Sequence, residues 1–273
     1  MEAAIRFGIF LAMFAVVGAL EFLRPRRTLQ QNRWRRWAVN AGLIVIDVVV
    51  QRLTLGAAAV TAAVYAQDHH WGALALLPVP WWAKAVAGFL FLDFAIYLQH
   101  VISHALPVFW RLHRVHHADL DLDLTSGLRF HPIEIIVSLL YKVLLVTAAG
   151  IDPWVVVVFE AVLNASALFS HGNIRLPDVV DAAMRRVICT PDFHRIHHSI
   201  VVDETNSNFG FFLSIWDRLC GTARAVPAAG QLGMTIGLVE YRQQSRLGLL
   251  NLLALPFGKR IGNTSFAKDD PTA

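Results

Sequence analysis

Long apolar runs constrain the fold of this chain more than any other feature of its sequence. Four runs are long enough, or nearly so, to cross a bilayer as helices: Ile5–Leu23, Trp37–Tyr65, Trp81–Leu98 and Ile133–Phe169. Such a crossing takes about 20 apolar residues. Charged residues occupy 16% of the 273 positions, against about 25% in ordinary soluble domains. The sequence therefore predicts an all-α fold, an integral membrane bundle of about four transmembrane or re-entrant helices with a helical cytoplasmic cap.

Basic residues after the first run predict its orientation. They are Arg24, Arg26, Arg27, Arg33, Arg35 and Arg36. The positive-inside rule places this cluster in the cytoplasm and the N-terminus outside. The first run lacks a small-residue cleavage site before the arginines, so we interpret it as a retained anchor. The net charge of +4 is assigned to topology and anionic lipid, and no nucleic-acid-binding motif is visible.

The fourth run is interrupted near Gly150–Pro153. Each half is slightly short for a full span, so the run predicts either two tilted spans or a re-entrant hairpin. Both alternatives return the chain to the cytoplasm at His171. The stretch Leu247–Phe257 is predicted to lie at the membrane interface.

Eight histidines fall into three tight clusters, one with HxxxH spacing and two with HxxHH spacing. They are His100 and His104, then His113, His116 and His117, then His194, His197 and His198. Residues three and four apart share a helix face, so each cluster is expected to point its imidazoles at one spot. Imidazole binds iron, zinc and copper well, and eight ligands suit a pair of ions. The span predictions place all three clusters on the same side of the membrane.

Single histidines and one intramembrane carboxylate extend the candidate site. His171 shares a helical stripe with Asn164 and Glu160, and His131 precedes the fourth run; both are candidate ligands. Asp93 lies on a stripe with the first histidine pair and has two open roles. It either accepts the free N–H of a ligand histidine or pairs with another buried polar group. The other two histidines between the spans, His69 and His70, fall on the opposite predicted side and are excluded.

The histidine clusters and their neighbours resemble the fatty acid hydroxylase, or sterol desaturase, superfamily of membrane histidine-box di-iron proteins. The resemblance covers about Leu90 to Thr222, and it includes the segments Arg129–Glu134, His171–Asn173, Thr190–Ser199, Asn208–Gly210 and Leu213–Thr222. It implies a monooxygenase-type oxidoreductase that hydroxylates or desaturates a lipid, such as a fatty acyl chain or a sterol-like molecule, with O₂. It implies two Fe ions, with Zn possible in the purified protein. The implied metal ligands are His100, His104, His113, His116, His117, His131, His171, His194, His197 and His198.

On this resemblance the chain divides into three regions. Residues 1–80 form N-terminal transmembrane helices, residues 81–225 a fatty acid hydroxylase-like catalytic region, and residues 226–273 an interfacial segment and tail. We expect a multi-pass protein of a bacterial inner membrane with its metal site on the cytoplasmic side. Candidates for the wall of the substrate cavity are Tyr97, Glu160, Asn164 and Phe169, with core packing the alternative for Phe169.

Electrons must come from a separate donor of the ferredoxin or cytochrome type with its reductase. No dinucleotide fingerprint or cysteine cluster is present in the sequence, since the two cysteines are Cys189 and Cys220. The predicted docking face carries Arg111, Arg114, Arg185, Arg186 and Arg195. Lipid headgroups are an equally good explanation of these arginines.

Two other functions compete with lipid oxidation. A b-type haem electron carrier needs only one histidine on each of two facing helices and leaves most of the eight unexplained. A zinc-dependent membrane hydrolase or transport protein is the second alternative. The HExxH pattern of zinc hydrolases is absent from the sequence, and a transporter would place its ligands at mid-membrane.

Overall fold

The computed structural model of the chain describes residues 2–258, and its regular elements are helical. The helices are α1 (Glu2–Leu23), α2 (Arg33–Thr54), α3 (Ala58–Asp68), α4 (Trp81–Ala105), α5 (Pro107–His117), α6 (Pro132–Ala149), α7 (Pro153–His171), α8 (Asp178–Met184), α9 (Pro191–His197), α10 (Val202–Thr205), α11 (Ile215–Leu219), α12 (Gly230–Gly233) and α13 (Leu249–Ala254). Short 3₁₀ helices cover Ser126–Leu128, Val239–Tyr241, Gln244–Leu247 and Leu255–Phe257. Within residues 2–258 β-structure is limited to isolated bridges. The all-α prediction is confirmed.

Five stretches of the described chain are long and apolar enough to span a membrane. They are Ala4–Leu23, Arg33–Asp68, Trp81–Ala105, Pro132–Ala149 and Pro153–His171. The chain is an integral membrane protein, as predicted, and the fourth apolar run supplies two of these candidates rather than one.

The predicted break in the fourth run has a local cause. Gly150 ends α6 with a φ of 65°, a left-handed conformation that glycine adopts without steric cost. Asp152 then accepts a hydrogen bond from the backbone N–H of Trp154, and Pro153 occupies the first turn of α7. A glycine stop followed by an aspartate cap and a proline start separates two helices of 18 and 19 residues.

The second apolar run differs from its prediction at its start and in its interior. Helix α2 begins four residues earlier, at Arg33, because Asn32 caps it by accepting a hydrogen bond from the backbone N–H of Arg35. The run then breaks after Thr54, where Gly56 has a φ of 52°. Arg33, Arg35 and Arg36, which precede the predicted run, thus lie on the first turn of α2.

Apolar side chains pack between the spans and also cover their outer faces. Helix α1 packs on α7, α3 packs on α6 and α7, and α4 packs on α5 and α7. Buried core residues between α4 and α7 include Leu92, Ile96 and Phe159. Outward-facing Phe7 and Leu144 are 61% and 66% exposed, which is stable only if lipid covers them.

The predicted interfacial stretch Leu247–Phe257 folds as turns and α13 against α2 and α5. Leu252 and Leu255 are buried there, whereas Leu250 and Phe257 point outward. Its position at a membrane interface stays a prediction. The part of the predicted C-terminal tail after Gly258 lies outside the described residues.

The 3₁₀ helix Ser126–Leu128 packs so closely on α7 that only glycine fits at its centre. A Cβ added to Gly127 would lie 2.4 Å from the carbonyl oxygen of Ala167. We expect Gly127→Ala to lower the free energy of unfolding by about 1–3 kcal/mol, because the backbones must move apart. Gly8→Ala is the control, since a Cβ there meets no atom within 4 Å. Equal thermal unfolding temperatures for the two variants in detergent would contradict this packing.

Candidate metal centre

Nine of the ten histidines predicted as ligands come together in two buried groups at one end of the spans. The first group is His100, His104, His113, His117 and His197; the second is His116, His171, His194 and His198. Within each group the candidate ligand nitrogens lie within 4.8 Å of one another. Two adjoining groups of this kind fit the predicted pair of ions.

Each HxxHH cluster is divided between the two groups, so the expectation that it points at one spot is wrong. His113 and His117 join the first group, whereas His116 joins the second. In the last cluster His194 and His198 join the second group and His197 the first. Neighbouring helical residues diverge by about 100°, so only the pairs four apart stay together.

Four segments bring these side chains together. The C-terminal part of α4 supplies His100 and His104, and the last turn of α7 supplies His171. Helix α5 and helix α9 with its C-cap residue His198 supply the remainder. Pro107 starts α5 and Pro191 starts α9. Proline is favourable in a first turn, where its missing N–H costs no hydrogen bond. The sequence therefore restarts a helix just before each HxxHH cluster.

Hydrogen bonds donated by Nδ1–H fix the orientation of several rings. The Nδ1–H groups of His100, His197 and His171 donate to the backbone oxygens of Phe209, Ser207 and Ala167 at 2.7, 2.8 and 2.8 Å. The Nδ1–H of His116 likewise donates to the Arg129 carbonyl, at 3.2 Å. A carbonyl oxygen can only accept, so in the neutral rings the proton is on Nδ1 and Nε2 carries a free lone pair.

The free Nε2 atoms then face one another. His100 and His113 approach to 3.1 Å between Nε2 atoms, and His116 and His171 to 3.0 Å. Two unprotonated nitrogens cannot form a hydrogen bond, so each contact requires a cation between or beside them. Nitrogens that ligate one ion at about 2.0–2.1 Å lie about 2.8–3.4 Å apart. The residues present therefore fit metal ions.

The remaining geometry supports the same fit. The Nε2 of His197 is buried and has no hydrogen-bond partner among the described residues. His194 lies 3.1 and 3.3 Å, between Nε2 atoms, from His171 and His198. Axial ligands of a haem sit on opposite sides of its iron, about 4 Å apart. The observed spacing is that of neighbouring ligands on one ion.

Burial favours the neutral form of the imidazoles that lie outside the spanning helices. Loss of solvation, followed by repulsion from neighbouring imidazoles, holds the pKa of each of the following well below its usual value: His116, His117, His194, His197 and His198. Metal ligation needs the neutral ring. The site therefore maintains its ligands in the binding form.

His131 is the one predicted ligand that the structure does not bring to either group. It caps α6, since its Nδ1 accepts a hydrogen bond from the backbone N–H of Ile133 at 3.2 Å. Its Nε2–H donates to the carbonyl of Leu253, also at 3.2 Å. Both ring nitrogens are thus satisfied by the fold, in contrast to the nine grouped rings.

Glu134 is a residue of the site that the sequence analysis missed. Its Oε1 accepts a hydrogen bond of 2.6 Å from Nδ1–H of His113. Its position in the first turn of α6, in the family-like segment Arg129–Glu134, was the available signal. A carboxylate in this position orients the ring and makes its Nε2 a better donor to a metal.

Replacing Glu134 with glutamine should lower metal affinity about 10–100-fold, because the amide keeps an acceptor but loses the charge. The measurement is metal retention against increasing chelator. Glu240→Gln, at an exposed position, is the control. Identical retention curves for the two variants would show that the Glu134 carboxylate does not support the site.

A buried ion cluster anchors the loop after α5. Arg36 binds Asp119 through two hydrogen bonds of 2.8 and 2.9 Å and binds Asp123 at 2.7 Å. All three side chains are buried, and Arg36 holds the pKa of the Asp119 carboxyl below its usual value despite its burial. The sequence analysis gave Arg36 a role in topology alone. The structure shows that it joins α2 to the segment that follows His117.

Asp93 takes the second of its two predicted roles. Its Oδ2 accepts hydrogen bonds from the indole N–H of Trp216 at 2.7 Å and from the backbone N–H of Leu213 at 3.3 Å. It pairs with buried polar groups of the segment after α9, and no contact with a ligand histidine appears among its hydrogen bonds.

The predicted arginine docking face needs a correction. Arg114 and Arg195 are each 1% exposed. Arg195 forms an ion pair with Asp192, and Arg114 donates to the carbonyl of Leu255. Both guanidinium groups stabilise the fold from inside, so neither can meet a protein partner. Arg186 remains exposed.

A cavity of about 610 Å³ opens from the spanning helices to the first histidine group. Its walls come mainly from α2, α4, α6 and α7, and His100 and His113 are among its lining residues. Of the predicted wall residues, Glu160 and Asn164 line it. Tyr97 instead bonds to Thr222, and Phe169 packs in the core beside α1.

Comparison with known proteins agrees with this geometry. The family model described as fatty acid hydroxylase matches residues 85–222. An ornithine lipid hydroxylase of Rhizobium tropici is 26% identical, with 92% of this chain covering 75% of that protein. A human alkylglycerol monooxygenase is 27% identical over 60% of this chain, and a Delta(7)-sterol 5(6)-desaturase of Eremothecium gossypii is 29% identical over 52%. This chain spans 36% and 37% of those two proteins. No solved structure gives a significant match.

Proposed function

This chain belongs to the fatty acid hydroxylase family, and we propose that it hydroxylates a membrane lipid with O₂ at two iron ions held by the nine grouped histidines. Its relatives include lipid hydroxylases and monooxygenases, and the chain is an oxidoreductase of this class. We assign the metal site to the cytoplasmic side of a bacterial inner membrane.

One observation carries the proposal: two members of the first buried histidine group, His100 and His113, line a cavity whose walls come from membrane-spanning helices, and the second group adjoins the first. A lipid enters such a cavity from the bilayer without crossing water. The reactive carbon then comes to rest beside His100 and His113, which line the cavity and belong to the first group.

Bound iron would supply reductive activation of O₂, the chemistry that an unreactive C–H bond requires. The protein holds the ions through Nε2 atoms whose rings are fixed by backbone carbonyls and by Glu134. Burial of all nine rings keeps bulk water away from the reacting carbon. His131 is left out of the proposed ligand set because its hydrogen bonds are complete.

The balanced reaction is RH + O₂ + 2 e⁻ + 2 H⁺ → ROH + H₂O. We favour hydroxylation over desaturation because a relative that matches 92% of this chain is a hydroxylase. The two electrons come from a separate donor of the ferredoxin or cytochrome type. Arg186, exposed on the segment that leads to α9, is the retained candidate for its docking.

The test is lipid analysis of cells that express the protein under isotopically heavy O₂. We expect a lipid that gains one heavy oxygen atom with the native chain and is absent with His194→Ala. His69→Ala, at an exposed site outside both groups, is the matched control and should keep the product. A product that lost two hydrogens without gaining oxygen would establish desaturation instead. Failure to find either product with metal-loaded protein and a working donor would overturn the proposal.

A further inference from the structure

A buried carboxylate in the wall of the cavity has no partner. Asp47 is 7% exposed and lines the cavity midway along α2. Its Oδ1 receives no hydrogen bond, and the side chain forms no ion pair with any described residue. A carboxylate removed from water without a partner is costly, and one at membrane depth marks a functional site by default.

The other polar residues on the same face of α2 are fully engaged. Arg36, Asn40, Leu43 and Asp47 form its buried stripe. Arg36 binds two aspartates, and Asn40 donates to Thr125 and accepts from Arg129. Asp47 is the member of the stripe that faces the cavity. Its missing partner is therefore a feature of the cavity rather than of the helix.

Among the described residues, no cation of the cavity lining forms an ion pair with Asp47. Arg6 and Lys142 both form ion pairs with Glu160, so neither pairs with Asp47. Glu134 binds His113 through one oxygen, and its other oxygen is buried without a partner. Asp47 and Glu134 both line this cavity. The sixth charged residue of the lining, Arg52, is exposed and forms no ion pair among the described residues.

We propose that Asp47 binds a cationic amino group of the lipid substrate. An ammonium group provides a positive charge and N–H donors, which the free oxygen of Asp47 does not meet among the described residues. A hydrogen bond between two ions is stronger than one between neutral groups. The inference rests on the proposed function, because it places the lipid in the cavity that leads to the metal centre. It selects aminolipids over sterols and simple acyl chains.

Binding of lipid probes to the purified full-length protein tests the amine site at Asp47 without requiring turnover. The probes are palmitoylputrescine, which ends in a free amine, and its N-acetyl derivative, which does not. We expect native mass spectrometry to show about a ten- to hundred-fold preference for the amine. Asp47→Asn, nearly the same size, should reduce the preference to about two-fold or less. Asp68→Asn is the control, since Asp68 is exposed and does not line the cavity.

The outcomes separate this inference from the proposed function. Equal binding of both probes by the native protein would overturn the amine site, and this result does not depend on whether Asp47→Asn folds. An undiminished preference in Asp47→Asn would overturn the role of Asp47. Amine preference without any lipid oxidation would contradict the proposed function alone.

Discussion

Replacing His197 with alanine should remove one of the two metal ions and nearly abolish lipid oxidation. Its Nε2 is buried and without a partner in the described structure, and its Nδ1–H is fixed on the carbonyl of Ser207. It is also the one residue of α9 in the first group, which adjoins the cavity. Loss of a ligand's hydrogen-bond partner already costs about 10–100-fold, so loss of the ligand should lower activity by more than about 100-fold.

His131→Ala is the matched control for His197→Ala. His131 is a buried histidine of the same family-like region, but it caps α6 and lies outside both groups. We expect this variant to retain both metals and to lose about 1 kcal/mol of stability with its cap. Elemental mass spectrometry and product formation are the two readouts. The assignment of ligands is wrong if His197→Ala keeps two metals or if His131→Ala loses as much metal as His197→Ala.

Arg36→Ala should destabilise the protein more than any other single loss of charge near the site. The substitution leaves Asp119 and Asp123 buried without the cation that both bind. Breaking a buried ion pair by removing one partner costs about 3–5 kcal/mol, because the remaining charge stays uncompensated. The released loop follows His116 and His117 directly, so metal retention should fall together with the unfolding temperature.

Arg35→Ala provides the comparison for Arg36→Ala. Arg35 is the preceding arginine on the same turn of α2, and it is exposed. Its loss should change the free energy of unfolding by less than about 0.5 kcal/mol. Chemical unfolding in detergent micelles measures both variants. If the two variants were equally stable, the ion pairs of Arg36 with Asp119 and Asp123 would contribute nothing to the free energy of unfolding.

The sequence predicted the features of this fold that depend on local spacing. The apolar runs became helices, and the Gly150–Pro153 break became a helix stop and start. Cluster spacing singled out eight histidines, and the stripe shared with Asn164 and Glu160 added His171; the fold brings these nine together. Even the division of each HxxHH cluster follows from helical geometry, because His116 and His117 point about 100° apart.

Contacts between distant segments could not be predicted in this way. Arg36 and Asp119 are 83 residues apart, and an arginine near a span has the same sequence signature whether it meets lipid or an aspartate. The contacts of Glu134 and Asp47 likewise depend on which helices pack together, although Glu134 stands in the family-like segment Arg129–Glu134. The charge of a residue is visible in the sequence, whereas its partner is set by tertiary structure.

Metal stoichiometry is the most direct test of the central claim that two buried histidine groups hold two ions. The native protein would be purified gently in detergent, reconstituted with ferrous iron without oxygen, desalted and measured by elemental mass spectrometry against protein concentration. Two grouped sets of Nε2 ligands predict about two irons per chain. Fewer than one metal per chain after reconstitution of folded protein would contradict the account.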